Sequence, residues 1–111
     1  MIRRKKMAVL DITSQNLDNT LETAKPVLID FWAPWWPGCV QLGPELEAAE
    51  KELGDKAVVT RSNVDNARDL AAKFKFMSIP TLIVMKDGKE VDRHTGFMPK
   101  NELVDFVSKH A

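Results

Sequence analysis

Residues 27–32 constrain the fold most, because they form a short and nearly continuous apolar run, Val-Leu-Ile-Asp-Phe-Trp. A run of this length that is rich in β-branched and aromatic residues is typical of a central strand covered on both faces. Asp30 interrupts the run, and a buried carboxylate in such a strand needs a partner. The chain is therefore expected to place helices on both faces of a sheet built around this strand.

The sequence on either side of this run predicts short elements up to the middle of the chain. A first strand is predicted over 8–12, and Ser14 is a suitable N-cap for a helix that ends before Lys25-Pro26. That helix would bury one face, formed by Leu17, Leu21 and Ala24. A longer helix is predicted from Pro37 to Leu53, with a kink at Gly43-Pro44. Its apolar stripe comprises Cys39, Leu42, Leu46, Ala49 and Leu53.

Predicted strands and helices continue to alternate in the second half of the chain. A strand is predicted over 57–61, and Asn66 is predicted to cap a third helix that buries Leu70, Ala71 and Phe74. Strands over 81–85 and 89–93 flank Asp87-Gly88, a pair suited to a tight hairpin turn. Pro99 suits the first turn of a last helix, which buries Leu103, Phe106 and Val107. The predicted order is β-α-β-α-β-α-β-β-α, an α/β fold with a mixed sheet and helices on both faces.

In sheets of this kind, ligand sites tend to lie beyond the carboxyl ends of central strands, which here points to the loop over 33–38. This region, Val-Leu-Ile-Asp-Phe-Trp-Ala-Pro-Trp over 27–35 followed by Cys39 and Pro44, resembles the thioredoxin family. Ser-Ile-Pro-Thr over 78–81 resembles the family's cis-proline loop, and Lys-Asp-Gly over 86–88 with Gly96 resembles its closing hairpin. The resemblance extends from about residue 8 to residue 107 and implies a thioredoxin fold.

The redox motif departs from the family at one decisive position. Thioredoxins carry Trp-Cys-Gly-Pro-Cys, whereas this chain reads Trp-Trp-Pro-Gly-Cys over 35–39. Trp36 therefore stands where the resemblance places the attacking cysteine, and an indole cannot become the thiolate that begins thiol-disulfide exchange. Cys39 corresponds to the resolving thiol. The resemblance also implies that Asp30 transfers a proton for Cys39, with Arg61 at the partner position; the alternative is that Asp30 and Arg61 form only a structural charge pair.

The resemblance further assigns a substrate groove. It implies that Pro80 is cis and shapes this groove. The residues expected to contact substrate are Trp35, Pro37, Gly38, Ile79 and Gly96. Trp36 is predicted to be exposed and Trp32 to lie largely in the core, while Met77 and Met98 are predicted to be packing or groove residues.

Composition limits the partners. Lysine plus arginine and aspartate plus glutamate number 16 each, so no overall field attracts nucleic acid or a membrane. Residues 1–7 contain a basic run and are predicted to be a flexible terminus, with the domain over 8–111. No apolar stretch follows that run as a secretory signal requires, which predicts a cytoplasmic protein.

His94 and His110, predicted at the surface, do not form a metal-ligand spacing with Cys39. We expect neither a metal nor a cofactor.

The sequence leaves three functions open. The first is a disulfide reductase whose nucleophile has been replaced by mutation or engineering; by resemblance, its partners are disulfide-containing proteins and thioredoxin reductase, and it is a monomer. The second is a redox-silent binding module that uses the Pro80 groove and exposed tryptophans. The third is monothiol chemistry, in which Cys39 forms a mixed disulfide with glutathione, a substrate or a second chain.

Overall fold

The computed structural model describes residues 8–111, and the basic N-terminal run predicted to be flexible lies outside them. The elements follow the predicted order, with one additional 3₁₀ turn over Gly54–Lys56. Their bounds are β1 Leu10–Asp11, α1 Leu17–Leu21, β2 Val27–Trp32, α2 Pro37–Leu53, β3 Val58–Asn63, α3 Arg68–Phe74, β4 Thr81–Lys86, β5 Lys89–Thr95 and α4 Lys100–Ser108. The fold is the predicted α/β thioredoxin fold.

One mixed sheet organises the chain. Its strand order is β1-β3-β2-β4-β5. β1 and β2 both run parallel to β3, so the carboxyl ends of these three strands meet at one edge of the sheet. β4 pairs antiparallel with β2 and β5, and the predicted hairpin turn joins β4 to β5. Asp87 and Gly88 both take the positive φ that such a turn requires, 54° and 78° respectively.

Two apolar layers cover the faces of β2, whose side chains alternate between them. On one face, Leu28 packs with residues of α2 and α4, namely Leu42, Leu46, Ala49, Leu53, Leu103, Phe106 and Val107. On the other face, Val27, Ile29 and Phe31 pack with α1 and α3 through Leu17, Leu70 and Phe74. Asp30 therefore shares the α2 face with Leu28.

The predicted cap of the first helix is wrong. α1 begins at Leu17, with Asn16 rather than Ser14 at its N-cap position. The Asn16 side chain is used in the preceding turn, where Oδ1 accepts the Thr13 N–H at 2.8 Å and Nδ2 donates to the Asp11 carbonyl at 2.9 Å. α1 also ends at Leu21, which leaves Ala24 exposed beyond it.

The predicted cap of the third helix is wrong for a related reason. The Asn66 N–H bonds to the carbonyl of Asn63, so Asn66 still belongs to a turn, and α3 begins at Arg68 with Ala67 at the N-cap. Similarly, Pro99 lies at the N-cap position of α4 rather than inside its first turn. By contrast, α2 has its predicted bounds and continues through Pro44.

The C-terminal end of α4 is tied to the sheet. His110, predicted at the surface, is half-buried, and its Nε2 lies 2.8 Å from Oδ2 of Asp92 in β5. Lys86 in β4 donates to the His110 carbonyl at 2.8 Å. Within residues 8–111, no helix has both the length and the apolar character needed to cross a membrane.

Candidate functional site

The start of α2 holds Cys39 beneath the surface. Trp36 occupies the N-cap position in an extended conformation, and its carbonyl accepts the N–H groups of Cys39 and Val40 at 3.0 and 3.1 Å. Cys39 is only 2% exposed because it begins the buried stripe of the helix. Burial raises the pKa of the Cys39 thiol; a backbone hydrogen bond with Ala33 opposes this rise and the charge of Asp30 adds to it.

Asp30 is a second buried ionisable group on the α2 face. Its side chain is 2% exposed, and its Oδ1 has no hydrogen-bond partner. Burial raises the pKa of Asp30 to about 7, although the guanidinium of Arg61 works in the opposite direction. This carboxyl group can therefore exchange a proton near neutral pH, which is the property that general acid-base chemistry needs.

Arg61 lies beside Asp30 in the β2–β3 register but forms no ion pair with it. Its Nε contacts Oδ1 of Asp11 at 3.2 Å, and its guanidinium carbon lies 5.0 Å from the centre of the Trp32 ring. The alternative that Asp30 and Arg61 form a structural charge pair finds no direct contact between the two side chains, although the charge of Arg61 still lowers the pKa of Asp30. The long arginine side chain carries its charge away from the core, over the Trp32 ring and toward Asp11.

Trp36, Gly38 and Pro80 meet at the start of α2. A Cβ atom placed on Gly38 would lie 3.5 Å from Nε1 of Trp36 and 3.9 Å from Cδ of Pro80. The peptide bond between Ile79 and Pro80 is cis, and the Pro80 carbonyl accepts the Gly96 N–H at 2.8 Å. Pro37 begins α2 and is exposed, whereas Ile79 is half-buried. The predicted groove positions Gly38 and Gly96 thus both adjoin Pro80.

A family model described as Thioredoxin matches residues 8–109 of this chain. The thioredoxin of Bacillus subtilis (strain 168) is 42% identical over 105 residues, covering 94% of this chain and 99% of that protein. This chain belongs to the thioredoxin family. The thioredoxin of Staphylococcus saprophyticus is similarly 41% identical over 104 residues, with 94% and 99% of the two chains covered.

A solved thioredoxin structure has the same fold. Chloroplastic thioredoxin z superposes with a TM-score of 0.84 at 22% identity, over 96% of this chain and 97% of that one. The structure of thioredoxin z defines a novel type-specific target recognition for that protein. At this identity the likeness supports the thioredoxin fold alone.

The other tryptophans of this thioredoxin-family chain differ in their surroundings. Trp35 is 61% exposed, and its Nε1 donates to Oδ2 of Asp65 at 2.8 Å. The rings of Trp35 and Trp36 meet edge to face with centroids 6.2 Å apart, and Trp36 is 46% exposed as predicted. Trp32 is half-buried rather than largely core; it is the last residue of β2, and the Arg61 guanidinium covers its ring.

Several residues beside this site did not stand out in the sequence. Phe97 follows Gly96 and is 45% exposed, and Asp65 holds the Trp35 indole from 30 positions away. The exposure of Phe97 has a weak sequence signal, an aromatic residue directly after Gly96, which is predicted to contact substrate; the role of Asp65 has none. Met98 packs in the core as predicted, whereas Met77 is fully exposed. Within residues 8–111, no group of three or more His, Cys, Asp or Glu side chains is arranged to hold a metal ion.

Proposed function

We propose that this chain is a thioredoxin-family protein of the thiol-disulfide oxidoreductase lineage that cannot work as a dithiol reductase, because Trp36 replaces the attacking cysteine. The observation that carries this proposal is the burial of the single thiol. The chain has one cysteine, Cys39, and that residue is 2% exposed below the start of α2. Disulfide reduction through a thioredoxin motif needs an accessible thiolate and a second thiol near it.

The first chemical step is the one that Trp36 removes. In exchange, a thiolate sulfur attacks one sulfur of the substrate disulfide, a new sulfur-sulfur bond forms, the old one breaks, and the departing thiolate takes up a proton. Cys39 is a poor substitute for this nucleophile, since burial both hides its sulfur and raises the pKa of its thiol.

The second step fails for a different reason. A mixed disulfide at Cys39 would have no second thiol in the chain to resolve it. Intramolecular resolution can be worth roughly 7–11 kcal/mol over the bimolecular reaction. Turnover would therefore depend on an external thiol, which limits the monothiol chemistry left open by the sequence.

The remaining machinery supports descent from an active enzyme. Asp30, Cys39, Pro44 and Pro80 occupy the positions that the family resemblance assigns to the proton-transfer carboxylate, the resolving thiol, the helix proline and the groove proline. By this proposal the partners are disulfide-containing proteins and thioredoxin reductase, and the protein is a cytoplasmic monomer with one domain over 8–111. Nucleic acid, membrane, cofactor and metal have no part in it.

A redox-silent binding module is the second candidate, and one observation supports it. Trp35, Trp36 and Phe97 expose 61%, 46% and 45% of their surfaces. Trp36 lies near Pro80 across Gly38, Trp35 contacts Trp36, and Phe97 follows Gly96, whose N–H bonds to the Pro80 carbonyl. Exposed aromatic side chains are common anchors at protein interfaces. In this candidate a partner is held at the Pro80 groove without any covalent step.

Insulin disulfide reduction by dithiothreitol distinguishes these candidates when the chain is compared with its Trp36→Cys variant. The proposal predicts that only Trp36→Cys accelerates reduction, because it restores a Cys-Pro-Gly-Cys pair. Trp36→Ser is the matched control, since it removes the indole without supplying a thiol. Activity in the parent chain would overturn the proposed inactivity, and inactivity in both chains would favour the binding module.

A further inference from the structure

A polar cleft lies at the carboxyl ends of β1, β3 and β2, apart from the residues of the redox motif. Its volume is about 280 Å³. The polar side chains that line it are Asp11, Thr13, Trp32, Arg61, Asn63 and Asn66. Crevices beyond the carboxyl ends of parallel strands are frequent ligand sites in α/β sheets. Cys39, Trp36 and Pro80 are absent from the lining, so the cleft lies apart from the redox motif, although it includes the Arg61 and Trp32 side chains described above.

The cleft presents more N–H donors than the protein itself uses. Nε1 of Trp32 is buried and has no hydrogen-bond partner. Arg61 employs its Nε in the contact with Asp11, and its terminal nitrogens make no hydrogen bond to any residue in 8–111. Oδ1 of Asn63 accepts the Asp65 N–H at 2.9 Å, which leaves the Asn63 amide nitrogen as a donor. The Trp32 Nε1 atom has no surface open to the cleft, so the donors available to a ligand are the terminal nitrogens of Arg61 and the amide nitrogen of Asn63.

The Arg61 side chain is held more firmly than the Asp11 carboxylate that it contacts. The guanidinium lies over the Trp32 ring at 5.0 Å, and the Arg61 side chain is 32% exposed. The Asp11 side chain is 78% exposed, so its carboxylate is a solvated and weakly held partner. A guanidinium binds carboxylate and phosphate oxygens well through its paired N–H groups.

We propose that this cleft binds a small oxyanion through the terminal nitrogens of Arg61 and the amide nitrogen of Asn63, beside the Trp32 ring, with the ligand oxygens replacing Asp11 at the guanidinium. The shared chemistry of the ligand is a compact group of negatively charged oxygens, either a carboxylate or a phosphate. This site is independent of the proposed redox function, because it needs neither Cys39 nor a residue at position 36 able to form a thiolate.

Nitrogen-15 NMR of the tryptophan indole groups tests the proposal directly. Inorganic phosphate and, separately, acetate are titrated at pH 7 against potassium chloride of equal ionic strength. We expect a saturable shift of the Trp32 indole N–H with at least one of the two anions and none with chloride. The Trp35 indole, which is bonded to Asp65, is the internal reference and should not move. Saturation with phosphate alone assigns a phosphate ligand, and saturation with acetate alone assigns a carboxylate.

Three variants separate a built site from general charge attraction. Arg61→Gln should weaken binding at least tenfold, and Asp11→Asn should strengthen it at least threefold by removing the competing carboxylate. Asp18→Asn, at an exposed position in α1, changes the net charge equally and should leave affinity unchanged. Shifts that chloride reproduces, shifts that never saturate, or an equal gain in Asp18→Asn and Asp11→Asn would each overturn the proposal.

Discussion

The indole of Trp36 lies over the backbone of Gly38, near enough that a Cβ atom at Gly38 would be 3.5 Å from Nε1 and 3.6 Å from Cδ1 of that ring. Cδ of Pro80 bounds the same space at 3.9 Å. These separations correspond to ordinary van der Waals contact, so one methyl group fits there. Gly38 also lies inside the first turn of α2, where its backbone freedom is lost on folding.

Gly38→Ala is therefore expected to stabilise the protein. Alanine is favoured over glycine in a helix by about 0.5–1 kcal/mol, and the added methyl group contacts Trp36 and Pro80 without overlap. Urea unfolding followed by circular dichroism measures the change in the free energy of unfolding. Gly54→Ala is the matched control and should destabilise, because Gly54 has a φ of 58° that alanine rarely adopts. A stability loss in Gly38→Ala would show that the indole cannot accommodate the methyl group.

The strongest sequence patterns were confirmed in the structure. The apolar run of β2 and the stripe of α2 determine those elements because each pattern is unbroken over most of its length. Both caps predicted from single residues were wrong. Ser14 and Asn66 lie in turns whose own hydrogen bonds delay the start of the helix, and this competition depends on backbone geometry that a residue type does not reveal.

The sequence predicted only part of the candidate site. Burial of Cys39 and Asp30 follows from their places in an apolar stripe and an apolar strand. The contacts of Arg61 with Asp11 and of Trp35 with Asp65 span 50 and 30 positions, and each depends on the direction in which a long side chain leaves the end of a strand or a loop. No local periodicity reports that direction.

The contact between Asp92 and His110 makes the end of α4 sensitive to acid. A hydrogen bond from His110 holds the pKa of Asp92 below its ordinary value of 3.8. Lys109 also lowers this pKa, whereas partial burial raises it. A carboxyl group whose folded pKa is depressed contributes stability above its unfolded pKa, and that contribution disappears as pH falls through the folded pKa. The last turn of α4 is expected to loosen below about pH 4.

Amide exchange at His110, whose N–H bonds to the Val107 carbonyl at 3.0 Å, measures this loosening. Its protection factor should fall as pH drops below about 4, and Asp92→Asn should already show reduced protection at pH 6. Glu90→Gln is the control, because Glu90 is also in β5 but pairs with Arg93 and makes no hydrogen bond to α4 in the described chain. Equal protection in the parent and Asp92→Asn at pH 6 would contradict this account.

The buried carboxyl group of Asp30 should give stability the opposite dependence on pH. Its folded pKa of about 7 lies above the ordinary value of 3.8, so the folded state binds the proton more tightly than the unfolded state does. Stability from this group is therefore greatest below about pH 4, declines as pH rises toward 7, and stays low above that. At high pH the fold contains a carboxylate whose Oδ1 has no partner.

Asp30→Asn removes that charge while keeping the size of the side chain. We expect it to raise the free energy of unfolding at pH 8.5 by roughly 2–4 kcal/mol and to change it much less at pH 4.5, where the native carboxyl group is already protonated. Urea unfolding at both pH values measures the difference. Asp11→Asn is the matched control, since the exposed Asp11 carboxylate should give no comparable gain at high pH. The account fails if Asp30→Asn changes stability equally at both pH values, because the gain must come from the ionised form of Asp30.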